Sequence, residues 1–382
     1  MRASHISAAV LAAAFAMGTA QAAEVELYGL IDTGLSYQHV DKDVANEDAT
    51  DQLQMKSSQS IPNRWGMRGS EDLGNGLKVG FMLESQFGSD DGSMTGNRLF
   101  QRTAQISLTS SYGTVVVGRS GSLRSGFGTT GLWGGKVAPF SNSWGDYIAG
   151  SKFIMPGGFK AIDNAVTYQS PVFSGVQLHA QYSFKTNNVE EKNGVEGKSS
   201  SDRMWAVGAT YTGGPVHVVF VLDSVLYGNR ANTNYDFYDD SLAASLAGTY
   251  NFGFMKLYAS GMYFKGMKGA DFQGHTALKD IAGNASYKGY SLQVGADVPA
   301  FGGTAKVNFG WMDGQTDQKE DSYNDAHGED IDRFSAAVGY LYPLSKRTSV
   351  YGGLGYVMDS SNNAENSDPS AYEAVLGLVH RF

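Results

Sequence analysis

The chain has no cysteine among its 382 residues. Disulfides, thiol chemistry and cysteine metal sites are therefore excluded. Proline is scarce, at 8 residues, so few positions interrupt a hydrogen-bonded ladder. Positive charge is in deficit: 29 Lys and Arg against 38 Asp and Glu leave a formal net charge of -9. That balance argues against nucleic acid as a partner. No segment reaches the roughly 18 uninterrupted apolar residues of a transmembrane helix. The mean hydropathy of -0.26 would suit a soluble protein. It suits a membrane β-barrel equally well, because only alternate residues of such a barrel face lipid.

Glycine is abundant, at 49 residues, beside 21 Tyr and 20 Phe. Glycine serves tight turns, and aromatics favour strands. The first residues read as an export signal. Arg2 supplies positive charge, Ala8 to Met17 is apolar, and Ala20-Gln21-Ala22 offers a small-x-small cleavage site. Residues 1–22 are expected to be removed, leaving a mature chain over 23–382.

Period-2 alternation begins at once and recurs along the chain. Leu77, Val79, Phe81 and Leu83 oppose Lys78, Gly80, Met82 and Glu84. Val176, Leu178, Ala180 and Tyr182 oppose Gln177, His179, Gln181 and Ser183. Such strands present one apolar and one polar or small-residue face. Short turns at Ser70–Gly76, Ser110–Gly113, Ser170–Gly175, Gly213–Pro215, Asn251–Phe254, Pro299–Gly303 and Pro343–Arg347 alternate with longer polar stretches. The longer ones are His39–Ser60, Gly88–Asn97, Ser120–Asp163, Asn187–Asp202, Gly228–Asp240, Gly266–Gly283, Gln315–Asp330 and Ser361–Ser370. Strict alternation of short and long connections is the pattern of a transmembrane antiparallel β-barrel with short periplasmic turns and long external loops.

The expected spans are 25–37, 61–69, 76–87, 99–110, 113–119, 163–170, 176–186 and 203–213 in the first half. They continue as 215–227, 241–252, 255–265, 284–298, 303–314, 331–342, 348–360 and 371–382. The fold class is thus all-β, with about sixteen strands, and a barrel of that size encloses an aqueous lumen. Tyr and Phe near strand ends, including Tyr28, Tyr37, Phe184, Tyr250, Phe252, Tyr340 and Tyr342, suit interface girdles.

On the polar faces, Arg64 and Arg68 share one side of the second strand and Glu84 lies on the third. Charges of both signs on a pore wall set a transverse field. The stretch Ser120–Asp163 is far longer than its neighbours, and unstructured loops of such length are usually functional. Folded inward, it narrows the channel. Its charges lean basic: Arg119, Arg124, Lys136, Lys152 and Lys160 against Asp146 and Asp163. Enzyme signals are weak. His179 and His217 both fall on polar faces, but on strands separated by another strand. Gly197-Lys198-Ser199 lacks the leading glycine of a phosphate-binding loop. No cofactor is expected.

The chain resembles the Gram-negative trimeric general porins, in their betaproteobacterial branch. The resemblance is carried by Leu27-Tyr28-Gly29-Leu30-Ile31-Asp32, by Arg64-Trp65-Gly66-Met67-Arg68-Gly69-Ser70-Glu71-Asp72-Leu73-Gly74-Asn75-Gly76-Leu77, and by Gly113-Thr114-Val115-Val116-Val117-Gly118-Arg119. Asn164-Ala165-Val166-Thr167-Tyr168-Gln169-Ser170-Pro171 and the closing Gly377-Leu378-Val379-His380-Arg381-Phe382 complete it. It implies a homotrimer in the outer membrane, in contact with lipid and lipopolysaccharide, and passive diffusion of small hydrophilic solutes and ions. It implies that the third loop, about 120–163, folds into the lumen as a constriction. It also implies a basic wall cluster at Arg64, Arg102 and Arg119 opposed by Glu84. Phe382 resembles the terminal aromatic read during barrel assembly.

Departures from the family pattern fall at Ala138-Pro139-Phe140 of the loop and at Ala161, with Lys160 beside it. Arg102 has the parity of Ala104 and Ile106, so it must lie above the bilayer or beyond a bulge. A modest anion preference is expected, from Arg64, Arg68, Arg102, Arg119, Arg124 and Lys160 against Glu84 and Asp146. Cancellation by Asp223 and Asp297 is the alternative. The competing functions are a solute-specific channel, a surface adhesin or receptor, and an outer-membrane hydrolase.

Overall fold

In a computed structural model the described residues are 24–44, 46–157, 160–189, 191, 194–228, 239–268, 286–317, 330–361 and 368–382. The expected signal segment lies outside them, as do the central parts of four expected external loops. The described residues form seventeen strands. The first nine are β1 (Glu24–Asp41), β2 (Thr50–Ser57), β3 (Arg64–Gly74), β4 (Leu77–Gln86), β5 (Thr103–Ser110), β6 (Gly113–Gly121), β7 (Ala161–Gln169), β8 (Val176–Ser183) and β9 (Arg203–Gly213). There follow β10 (Val216–Leu226), β11 (Leu242–Asn251), β12 (Lys256–Lys268), β13 (Ser286–Ala300), β14 (Gly303–Thr316), β15 (Asp330–Pro343), β16 (Thr348–Ser361) and β17 (Ser370–Arg381).

Each strand from β3 onward pairs antiparallel with the next, and β17 returns to β1 from Leu30↔Arg381 to Asp41↔Ser370. Closure removes the sheet edges that lipid could not satisfy. The wall has sixteen positions because β2 and β3 share one. β1 pairs with β3 over Glu24–Leu30 and with β2 over Thr33–Val40. This corrects the sequence reading, which takes His39–Ser60 as a connection. Gln52, Gln54 and Lys56 make β2 look like a polar loop, while Leu53 and Met55, both well exposed, keep the strand alternation.

The break between the two half-strands turns inward around Asp32. Asp32 Oδ2 accepts from Ser60 N at 2.7 Å, Ser60 Oγ at 2.7 Å and Ile61 N at 2.8 Å. Tyr351 donates to its other oxygen at 2.5 Å. Outward positions such as Leu178, Val294, Leu354 and Leu376 are exposed, as a lipid-facing belt requires. At the short β3–β4 turn Gly74, Asn75 and Gly76 all have positive φ (84°, 51° and 76°), a run that side chains beyond Asn tolerate poorly.

The long segment between β6 and β7 packs against the inner wall. It contains a 3-10 turn at Gly134–Lys136 and a short helix α1 (Gly150–Ile154). Leu123, Trp133, Val137, Phe153, Ile154 and Met155 join inward-facing Val219, Val221, Met262, Phe264, Met312 and Val357 in one apolar cluster. Phe140, Trp144 and Ile148 form a second with Ala337, Tyr351 and Val375. The inner wall is therefore apolar where the loop lands. Its mark in the sequence is the loss of alternation in Val218-Val219-Phe220-Val221-Leu222.

Candidate functional site

Arg64, Glu84 and Arg102 come together on the inner wall of β3–β5. Glu84 is almost fully buried. Its Oε1 accepts from Arg102 Nε at 2.5 Å and lies 3.8 Å from Arg64 Nη1. Its Oε2 accepts from Tyr28 at 2.9 Å. Tyr28 thus faces the lumen and is not part of an interface girdle. Two guanidiniums share one carboxylate, which leaves a net positive charge.

Arg102 reaches this position because β5 starts at Thr103, not at 99. A bend at Gln101 and Arg102 turns the arginine inward against its apparent parity. Its backbone N–H donates to Glu84 O at 3.1 Å, and its guanidinium lies 4.4 Å from the Phe127 ring centroid.

The loop faces this cluster across a recess of about 420 Å³, lined among others by Pro62, Arg64, Arg102, Phe127, Lys136 and Ser143. Lys136 is exposed there, with its ammonium donating to Gly131 O at 2.7 Å. The loop is fastened beside the recess by Gly145 N donating to Gln59 O at 2.7 Å and Ser143 Oγ donating to Ser60 O at 2.9 Å.

The remaining expected site residues lie elsewhere. Arg68 is half exposed below the cluster and pairs with Glu26 at 2.7 Å. Arg119 turns to Asp163 and to the Gln101 carbonyl, and Asp163 also holds Arg98 at 2.7 Å. It does not join Arg64 and Arg102 on Glu84. Arg124 is fully buried and binds Asp223 through Nε at 2.9 Å and Nη2 at 3.2 Å, with Nη1 on Pro156 O at 2.8 Å. It is an anchor for the loop, not a pore charge.

Asp146 binds Lys56 and accepts from Gln38 at 2.7 Å. Burial raises its pKa, but Lys152, Lys56 and the two hydrogen bonds outweigh that and hold it below the usual carboxylate range. Lys160 is exposed where the loop returns, its carbonyl accepting from Ser122 N at 3.0 Å. Phe382 exchanges backbone hydrogen bonds with Gly29 at 3.0 and 3.1 Å, closing the barrel seam, and its ring is half exposed.

Several residues that hold the site were not singled out by sequence. Glu373 accepts from the Asp146 and Tyr147 N–H groups at 2.6 and 2.8 Å, from Ser36 at 2.7 Å and from Gln38 at 3.1 Å. Gly145, at φ 52°, sits against that carboxylate where a Cβ would collide. Arg333 and Asp359, both fully buried, form a two-pronged ion pair at 2.6 and 2.6 Å, and Arg333 also donates to Phe153 O at 2.9 Å. The available signal was their charge at inward positions of otherwise apolar strands. Among the described residues no cluster of His, Asp and Glu is placed to hold a metal.

The family pattern of Gram-negative porins matches residues 7–363. An outer membrane porin protein of Bordetella pertussis is 34% identical over 411 residues, spanning 98% of this chain and 99% of its own. Outer membrane porin protein 32 of Delftia acidovorans is 31% identical over 94% of this chain and 90% of its own. Among solved structures, an anion-selective porin from Comamonas acidovorans superposes with a TM-score of 0.66 at 24% identity, covering 94% of this chain and all of that one.

Proposed function

The chain belongs to the Gram-negative porin family, and from that premise we propose that the outer-membrane channel it forms for passive diffusion of small hydrophilic solutes prefers anions where the third loop faces Arg64 and Arg102. Membership of the family points away from an enzyme. The observation that carries the selectivity reading is the sharing of Glu84 by two arginines, with Lys136 across the recess. An ion there sheds part of its water, and the low-dielectric wall strengthens each charge. The acidity of the external stretches lies in water, where a Debye length of about 8 Å screens it at physiological salt.

The carboxylates that could cancel the excess are already engaged. Asp223 is bound by Arg124, and Asp297 is bound by Lys306 at 2.8 Å. The relative described as anion-selective agrees in sign.

The test is the reversal potential of reconstituted channels in a KCl gradient. The wild type is expected to favour chloride, and Arg64→Glu to lose or invert that preference. A cation-selective wild type, or a variant with unchanged selectivity, overturns the reading. The channel is further proposed to be a homotrimer, on the strength of family membership and the exposed apolar belt. Mass measurement in gentle detergent is expected to give three chains per particle, and a monomer there rejects it.

A further inference from the structure

At the end of the barrel that carries the short turns, a second group of donor side chains gathers on the inner wall, beside the recess already described. His217 on β10 stands opposite Thr212 on β9 and Thr249 on β11. Its Nδ1 is 2.8 Å from Thr212 Oγ1, and its Nε2 is buried without a partner. His179 on β8 repeats the arrangement: Nε2 is 3.4 Å from Thr210 Oγ1, and Nδ1 has no partner. Lys256 starts β12 opposite Asn251, donates to the Lys136 carbonyl at 3.5 Å and lies 4.6 Å from the Tyr258 ring centroid.

The loop therefore brings Lys136 to the same place, within electrostatic range of both histidines. Thr212, Thr249, Asn251, His217 and Lys256 border a recess of about 420 Å³. The carboxylate that reaches Lys256 electrostatically is Asp297, and it is already held by Lys306 at 2.8 and 2.9 Å and by Tyr258 at 2.9 Å.

We propose that Lys136, His179, His217 and Lys256 form a second anion subsite at the periplasmic mouth, suited to a small doubly charged oxyanion. The chemistry is that of donors without acceptors. Two ammoniums face no carboxylate of their own among the described residues. A ring nitrogen that accepts from a threonine hydroxyl puts the ring proton on the opposite nitrogen, which is then free to donate. Buried donors without partners are costly, and an oxyanion, with acceptor lone pairs on every side, satisfies several at once. The Thr249 hydroxyl and the Asn251 amide supply neutral donors beside them. Two uncompensated charges favour a dianion over chloride. Short turns mark the periplasmic side, and the subsite joins the recess that faces Arg64 and Arg102 through Lys136, which borders both.

This goes beyond the selectivity proposed above and is tested separately. Sulfate remains a dianion from pH 5 to 8 and serves as the probe, added to one side of a single reconstituted channel in KCl. The chain has no cysteine, so Ser345→Cys on an exposed turn, labelled with an impermeant thiol reagent, identifies the periplasmic side. Sulfate is expected to reduce the current more strongly from that side.

Lys256→Gln and His217→Asn are each expected to weaken the block by about fivefold, the scale of one partly exposed charge contact. Lys136→Gln, on the loop and not in the barrel wall, carries the same measurement should a wall variant fail to insert, and its share in the recess facing Arg64 and Arg102 is read separately from its reversal potential without sulfate. Lys346→Gln, on an exposed turn at the same end, is expected to change nothing. Equal block from both sides, or block of wild-type strength in the Lys256, His217 or Lys136 variants, overturns the subsite. The Arg64→Glu reversal potential then still judges the selectivity reading, and a cation-selective wild type leaves the sidedness of sulfate block to be decided on its own.

Discussion

Where the loop meets the wall, Arg124 of the loop and Arg333 of the wall each meet one aspartate in a two-pronged ion pair, whereas Arg64 and Arg102, on the wall that the loop faces across a gap, share a single glutamate. The residue type is the same and the result is opposite. Beneath the loop the charges cancel and the third guanidinium prong holds loop backbone, at Pro156 O and Phe153 O. A buried ion pair contributes little net stability over apolar packing, but removing one partner strands a charge. Such pairs fix the position of the loop. Across the gap the stoichiometry of two to one leaves charge exposed to the passing ion. Arginine on a pore wall is thus read by its partner count, not by its presence.

The contrast is broken most severely by Asp359→Ala. It leaves Arg333 buried and uncompensated, and an expected loss of about 3–5 kcal/mol follows from an unpaired interior charge. The temperature at which the folded barrel gives way to the unfolded band on unheated gels is expected to fall, and single-channel current noise to rise as α1 loses its tether. The paired change Arg333→Met with Asp359→Leu is expected to recover most of the stability and not the low noise. A stable, quiet Asp359→Ala channel would show that the pair does not hold the loop.

A smaller effect sharpens the other half. Glu84→Gln keeps the acceptor for Tyr28 and removes the carboxylate that Arg64 and Arg102 share, so chloride preference is expected to rise about two- to threefold in permeability ratio. Glu26→Gln, whose partner Arg68 stands half exposed in water, is expected to leave the ratio unchanged, because screening there is strong. Equal responses at the two positions would place the deciding field lower in the lumen.

Much of this was legible beforehand. The span 203–213 coincides with β9, and alternation put Arg64 and Glu84 on one wall. The expectation that Arg102 lies beyond an irregularity is met by the bend before β5. The half-strand β2 was missed because its inward residues are long and polar, which is what a loop also looks like. Arg119 and Arg124 were placed at the passage because parity and charge were all that could be read. Their partners Asp163 and Asp223 lie 44 and 99 residues away, and no local pattern announces such a pairing.

What the sequence determined by itself is what depends on neighbours in the chain: alternation, the short and long connections, and hence a closed barrel with a wet interior. These follow from the two-residue period of a strand, which assigns each side chain to lipid or lumen without reference to the rest of the molecule. What only the tertiary structure decided is which lumen charges remain uncancelled. That depends on the height of each side chain on the wall and on where the loop comes to rest. Both are set by shear between strands and by apolar packing of Phe140, Trp144, Phe153 and Ile154 against distant wall positions, quantities that a period of two leaves free.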